Sequence, residues 1–319
     1  MNRIRRFLGH PAVKVAYFFL LVAAAVYYLY RWGDRLPELI AQTQWGWALA
    51  ALAATLVAAL VYSFIQYTIY RHLEAVVSYW TVFRIITIAQ LGKYLPGKIM
   101  FAGNYYLLSR AAGIGNVQIG TSFVISQALW MLTACLCALP ILALLNPALR
   151  FTVLLLPLAL LLLVHPRFLR WLLRLGQRVA GRAQEEPLPL PQGLAAGFYV
   201  QVAALYLLNW ALAGLGGWFC MRAFVPVGLG VYPLALAALA LGTVAGFVAL
   251  FAPVGLGIRE GLGAVILTPA LGAEVALLGL LLLRGVTVVV DLVLALISML
   301  AGSDRPRDRQ SSELGKPGA

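Results

Sequence analysis

Acidic residues are the scarcest charged groups in this chain, 11 Asp and Glu against 24 Lys and Arg, and charged residues of both signs make up only 11% of it. So few carboxylates leave little material for acid–base catalysis, and the one adjacent pair, Glu185 and Glu186, falls in a linker. Histidine is rarer still. His10, His72 and His165 are scattered, and none has an acid at metal-ligand spacing. P-loop, GxSxG and HExxH patterns are missing. Pumping driven directly by ATP is thereby excluded for this chain, and neither an enzyme nor a cofactor is expected. Cys135, Cys137 and Cys220 all lie in apolar runs. They read as small buried side chains, since no disulfide framework or CxxC spacing is present.

What the chain has instead is hydrocarbon. It is 62% hydrophobic with a mean hydropathy of +0.90, and several runs reach the roughly 20 residues needed to cross about 30 Å of lipid. Only helices or closed barrels satisfy their backbone in that medium. The runs are long and rich in Leu and Ala rather than alternating, which rules out a barrel. The fold class is therefore all-α, a polytopic membrane protein. A net charge of +13 would suggest nucleic acid in a soluble protein. Here loop arginines set topology and touch anionic headgroups, and no nucleic-acid partner is expected.

Span one covers about 12–30. Arg3, Arg5 and Arg6 before it and Lys14 in its first turn put the N-terminus in the cytoplasm. It lacks a small-residue cleavage site, so a retained span is expected rather than a signal peptide. Span two, about 45–70, opens on Trp45 and Trp47 and ends before Arg71 and His72. The region 79–110 differs, because each arm is only about 14 residues, roughly 21 Å at 1.5 Å per residue and short of the hydrocarbon thickness. Basic residues at both ends make it a hairpin that enters from the cytoplasm, turns at 93–98 and returns. Spans three and four cover about 117–145 and 151–164. Arg167, Arg170, Arg174, Arg178 and Arg182 then recur every three or four residues. That is the pattern of an amphipathic helix on the inner leaflet, or of a plain topology anchor.

The Pro-rich linker EEPLPLPQG marks the midpoint. Span five covers about 193–219. The region 232–271 is interrupted by APVGLGIREGLG (252–263) and is expected to enter from outside. A final span covers about 274–298, and the polar, basic residues 301–319 form a disordered cytoplasmic tail. The expectation is one transmembrane domain over 1–300, with halves 1–184 and 193–300. It holds six full spans plus two opposed re-entrant hairpins, or eight helices if the arm 232–251 crosses. Opposed breaks in the two halves suggest an inverted repeat, on hydropathy and break position alone.

Lys93 and Lys98 flank the Pro96–Gly97 break. A lysine near the membrane middle costs several kcal/mol unless it is hydrated, paired or snorkelled. Either both reach headgroups at the cytoplasmic edge, or they form a phosphate site with the free N–H groups of a half-helix. Arg110 could help select a headgroup there, or simply set topology. Pro253, Gly255 and Gly257 make the second break, ahead of Arg259 and Glu260. Those two could neutralise one another, or Arg259 could contact the same phosphate while Glu260 carries a proton. Arg284 and Asp291 are seven apart, hence on one helix face, and a structural pairing with neighbours is the plain account of them. A proton-coupled mechanism would have to use Glu260 or Asp291.

Tyr94, Leu95, Pro96 and Gly97, followed by Gly103 and Arg110, form one pattern. Pro253, Gly255, Gly257 and Glu260 form a second, Pro-x-Gly-x-Gly-x-x-Glu, and Arg284 stands in the last long span. In this order the chain resembles the lysylphosphatidylglycerol synthase transmembrane-domain family, the flippase part of bacterial multiple-peptide-resistance factors, and its stand-alone relatives. Where relatives often carry an Arg shortly after the first motif, this chain has Asn104. The resemblance implies lipid translocation without fixing the headgroup, and with the cations at the breaks the expected cargo is an anionic phospholipid or a polyprenyl-phosphate-linked lipid crossing the inner membrane. The basic residues at both ends put both termini in the cytoplasm. In that reading Lys93, Lys98 and Arg259 bind phosphate and Arg284 holds the cavity's charge balance. The alternative is a non-transporting accessory subunit that docks a lipid-modifying enzyme or glycosyltransferase.

Overall fold

The computed structural model describes residues 43–94, 99–139, 195–248 and 258–301, together with Ala41, Ile141 and Trp171. The spans expected at 12–30 and 151–164, the basic helix at 167–182 (Trp171 apart), the linker and the tail lie outside the described residues. Those described form eight α-helices and no strand. They are α1 (Trp45–His72), α2 (Tyr79–Gln90), α3 (Ile99–Ala111), α4 (Asn116–Cys137), α5 (Ala196–Arg222), α6 (Tyr232–Val248), α7 (Ile258–Leu271) and α8 (Ala273–Leu300). Single 3₁₀ turns, Leu91–Tyr94 and Leu229–Val231, follow α2 and precede α6.

Length sorts these helices into two kinds. α1, α4, α5, α8 and the stretch Leu229–Gly246 are long and apolar enough to cross a membrane. α2, α3 and α7 have 12, 13 and 14 residues, or about 18–21 Å at 1.5 Å per residue, well short of about 30 Å. The chain is a polytopic all-α membrane protein. The sequence places no charged residue in α1 before Arg71. It carries no charge on any face before that point, as suits a helix with protein on one side and lipid on the other, and its polar residues Ser63, Gln66 and Thr68 are buried. α2 begins where Ser78 Oγ accepts the Thr81 N–H at 3.1 Å, a side-chain N-cap.

α1 and α5 form an antiparallel frame. At one end Gln44 N–H donates to the Ala223 carbonyl at 2.8 Å and Trp47 stacks on Phe219 at 5.7 Å. At the other the His72 ring lies 4.7 Å from Phe198. α4 is tied to both by a buried polar cluster. Gln66 Nε2 donates to Ser126 Oγ at 2.5 Å and to the Tyr206 hydroxyl at 3.1 Å, and Ser126 Oγ meets that hydroxyl at 2.7 Å. In a low dielectric such a cluster is strong and fixes register. α8 lies antiparallel to α5: Gly279 faces Met221 and Leu283 faces Gly217.

The short helices sit in two pairs, α2 with α3 and α7 with the longer α6, and the chain ends of those pairs sit at opposite ends of this frame. The α2/α3 pair is anchored where α1 finishes, by Tyr70 OH to Ser109 Oγ at 3.0 Å. Close by, Gln118 Nε2, in the first turn of α4, donates to the Leu73 carbonyl at 2.9 Å. The α6/α7 pair is anchored where α5 finishes, with Trp218 Nε1 donating to the Gly228 carbonyl at 3.1 Å. A glycine closes each pair. A Cβ on Gly92 would stand 2.8 Å from backbone atoms of Met100 and Phe101, and one on Gly242 would stand 2.7 Å from the Arg259 carbonyl oxygen. Backbone cannot give way as a side-chain tip can, so only glycine permits these approaches.

A candidate anion site between the two interrupted helix pairs

Each break delivers a cation to the interior. The Leu91–Tyr94 turn carries Lys93, whose Nζ lies 2.6 Å from Asp291 Oδ2 on α8. The Tyr94 hydroxyl donates to the same carboxylate oxygen. Arg284 is two turns earlier on α8, and its Cζ lies 5.8 Å from the Tyr94 ring centroid, while Lys93 Nζ lies 5.2 Å from it. Tyr94 thus stands between the two cations, with both in reach of its ring. From the second pair, Arg259 enters in the first turn of α7, and its backbone is held against Gly242. Lys93, Tyr94, Arg259, Arg284 and Asp291 lie within range of one another's charge, and Arg259 also feels Glu260.

Lys93, Arg259, Arg284 and Asp291 line one cavity of about 410 Å³. Among the described residues its lining holds three cationic groups, Lys93, Arg259 and Arg284, and one carboxylate, Asp291. Depth follows from helix geometry. Asp291 is about 14 Å along the α8 axis from Leu300, and Arg284 about 24 Å, at 1.5 Å per residue. Lys93 is about a third exposed and Asp291 about a tenth, so the cavity reaches both groups. Three of the four threonine hydroxyls in the described lining, those of Thr87, Thr243 and Thr287, are committed as donors to their own helices, while Thr55 Oγ1 is buried without a hydrogen-bond partner. Thr87 bonds to the Phe83 carbonyl at 2.9 Å and Thr287 to the Leu283 carbonyl at 2.8 Å. Free charge at the site therefore belongs to the Lys, Arg and Asp groups. Among the described residues no three His, Cys, Asp or Glu side chains gather as metal ligands.

Of the residues singled out in the sequence, the structure brings Lys93, Arg259, Arg284 and Asp291 together in this cavity. Glu260 is buried beside Arg259 and is not part of the lining. Arg110 stands apart from it. It is exposed at the end of α3 and donates to the Ile114 carbonyl at 3.1 Å, closing the turn into α4. Pro96, Gly97, Lys98, Pro253, Gly255 and Gly257 lie outside the described residues. Three lining residues that reasoning about formal charge passed over are Gln90, Gln127 and Asn209. A neutral amide inside an apolar run was the available signal, because burying one costs free energy unless something bonds it.

A search of the curated proteins finds no match for the chain. The family model described as the lysylphosphatidylglycerol synthase TM region matches residues 13–295, which include all of the cavity lining. With that match running through both interrupted pairs and the last long helix, the chain belongs to the lysylphosphatidylglycerol synthase transmembrane-region family.

Proposed function

We propose that the protein is a lipid flippase. It moves an anionic phospholipid or a polyprenyl-phosphate-linked lipid across the inner membrane by alternating access, without changing the lipid chemically. The observation that carries this reading is the shared cavity: cations from two separate breaks and from α8 face one space, in excess over the one carboxylate among the described lining residues. Excess positive charge away from bulk water calls for a counter-anion. A headgroup phosphate supplies one while the lipid tail stays in hydrocarbon. A volume of about 410 Å³ suits a small headgroup and falls in the usual range of ligand pockets.

In this reading α2/α3 and α6/α7 are re-entrant hairpins related as an inverted repeat, entering from opposite sides, with the substrate held where their tips meet. The anchoring of the two pairs at opposite ends of the α1/α5 frame supports it. Arg71, His72, Arg84 and Arg110 gather toward the end where α1 finishes, which makes that end cytoplasmic by the positive-inside rule. The C-terminus of α8, held by Arg84, lies there too. Rocking of one pair against the long helices would open the site to each side in turn.

The test is headgroup crossing in vesicles reconstituted with the purified full-length chain. Wild type accelerates crossing of an anionic lipid, and Lys93→Ala and Arg259→Ala each slow it at least about tenfold, the loss expected when one charge-assisted contact is removed. Equal rates for the three proteins would contradict the proposed site.

A further inference from the structure

The cavity has two unlike walls. Among the described residues, the turn Leu91–Tyr94, α7 and α8 supply its charge. α1, α4 and α5 line the other side and contribute no charged residue to it. In place of charge they present the amides of Gln127 and Asn209 and the indoles of Trp130 and Trp210. These side chains are held in position. Gln127 and Trp130 follow Phe123 at i+4 and i+7 on one face of α4. Asn209 Nδ2 donates to the Ala58 carbonyl at 2.6 Å, and Trp210 Nε1 donates to the Trp130 carbonyl at 3.3 Å.

A phosphate on the charged wall leaves the rest of a headgroup against this neutral wall, and the chemistry there discriminates. An ammonium group would want a carboxylate. Asp291 is already held by Lys93 and Tyr94, and Glu260 is not in the lining. Aromatic faces can also hold a cation, but Trp130 and Trp210 stack on each other, centroids 5.5 Å apart at 28°, so each has one face taken. The surplus positive charge of the opposite wall further repels a cation. Hydroxyl groups need only amide partners, which donate and accept, and the carbon skeleton of a polyol can lie on an indole. There is room for about a dozen water-sized groups, the scale of phosphoglycerol or one phosphorylated sugar.

Resting on the transport reading above, we infer that the cavity selects lipids whose headgroup is a phosphate bearing a neutral polyol, glycerol or a single sugar. It rejects headgroups bearing an ammonium, among them the lysylated lipid that the family's description mentions.

The test uses full-length protein in vesicles carrying trace phosphatidylglycerol, phosphatidylethanolamine or lysylphosphatidylglycerol. External periodate cleaves the vicinal diol of the first, and trinitrobenzenesulfonate labels the amines of the other two, so inner-leaflet lipid that becomes reactive reports crossing. Phosphatidylglycerol is expected to cross at least about tenfold faster than either amine lipid, and Gln127→Glu, which adds an acid to the neutral wall, to cut that ratio below about threefold. Equal rates for diol and amine lipids in the wild type would overturn the selectivity while leaving transport standing. If nothing crosses, transport fails, and selectivity is then read in detergent from the thermal stabilisation given by dioctanoyl phosphatidylglycerol and dioctanoyl phosphatidylethanolamine. Stabilisation by the first alone upholds it. Equal shifts, or none, overturn it.

Discussion

The α2/α3 pair is fastened to α8 by polar bonds, whereas the α6/α7 pair has its polar ties to α5, from Trp218 Nε1 to the Gly228 carbonyl and from the Tyr232 hydroxyl to the Ala211 carbonyl, and packs on α8 through an apolar cluster. In the first, Arg84 Nε donates to the Ser298 carbonyl at 3.0 Å, Thr87 Oγ1 meets Ser298 Oγ at 2.6 Å, and Lys93 reaches Asp291 at 2.6 Å. These contacts run in antiparallel register, one partner rising as the other falls. In the second, Ala235, Ala238, Leu267, Ala276 and Leu280 form one cluster with Trp218 and Met221. Hydrogen bonds are directional and lose their value when atoms shift by an ångström, while apolar contact is indifferent to direction. The difference assigns the pairs separate tasks. In the proposed alternating-access reading the first pair holds Lys93 on α8, and the second is the one that moves, carrying Arg259.

The largest effect should come from closing the glycine gaps, which both pairs share. Gly92→Ala and Gly242→Ala each force a Cβ against backbone and should cost about 1–3 kcal/mol of unfolding free energy in detergent. Gly103→Ala, in α3 with nothing within 4 Å of the added carbon, should instead stabilise by up to about 0.5–1 kcal/mol. Equal responses at all three positions would remove close approach as the reason for those glycines.

Next in size is Asp291→Asn, which keeps the shape of the pair and removes the charge that competes with a lipid phosphate for Lys93. Binding of dioctanoyl phosphatidylglycerol should tighten about 3–10-fold while crossing slows, because release becomes harder. Unchanged or weaker binding would mean that Asp291 is not a competitor. Smaller again is Ser298→Ala, which removes the hydroxyl that meets Thr87. It should cost about 1 kcal/mol and loosen the first pair alone, read as faster amide exchange in α2 than in α6. Arg110→Ala should be the smallest, altering crossing by less than about twofold, as surface changes away from a site do.

Much of this arrangement was legible in the sequence, and for identifiable reasons. The Pro96–Gly97 and Pro253–Gly255 breaks leave arms too short to cross, and the 12- to 14-residue α2, α3 and α7 follow from them. Lys93, Arg259, Arg284 and Asp291 stand out because ionised groups are rare in apolar runs, and the seven-residue step puts Arg284 and Asp291 on one face of α8. The long arm of the second pair was harder. The stretch Leu229–Gly246 is long enough to cross, and composition alone does not distinguish crossing from return. Periodicity describes one helix at a time, so it could not pair Lys93 with an acid nearly 200 positions away on α8. Charge rules do not separate a loop cation from a site cation, which is why Arg110 was grouped with Lys93. The uncharged wall of Gln127, Asn209 and the two indoles carries no formal charge to draw attention, yet it shares the cavity lining with the charged groups.

The central claim is that cations from two separate breaks act on one phosphate. A double-mutant cycle tests it most directly, with dioctanoyl phosphatidylglycerol titrated against wild type, Lys93→Ala, Arg259→Ala and the double variant in detergent. Each single change should weaken binding about 10–100-fold. The double variant should depart from the sum of the two losses by more than about 0.5 kcal/mol, as groups sharing a partner do. Losses that add within about 0.3 kcal/mol, or no loss at either position, would contradict it.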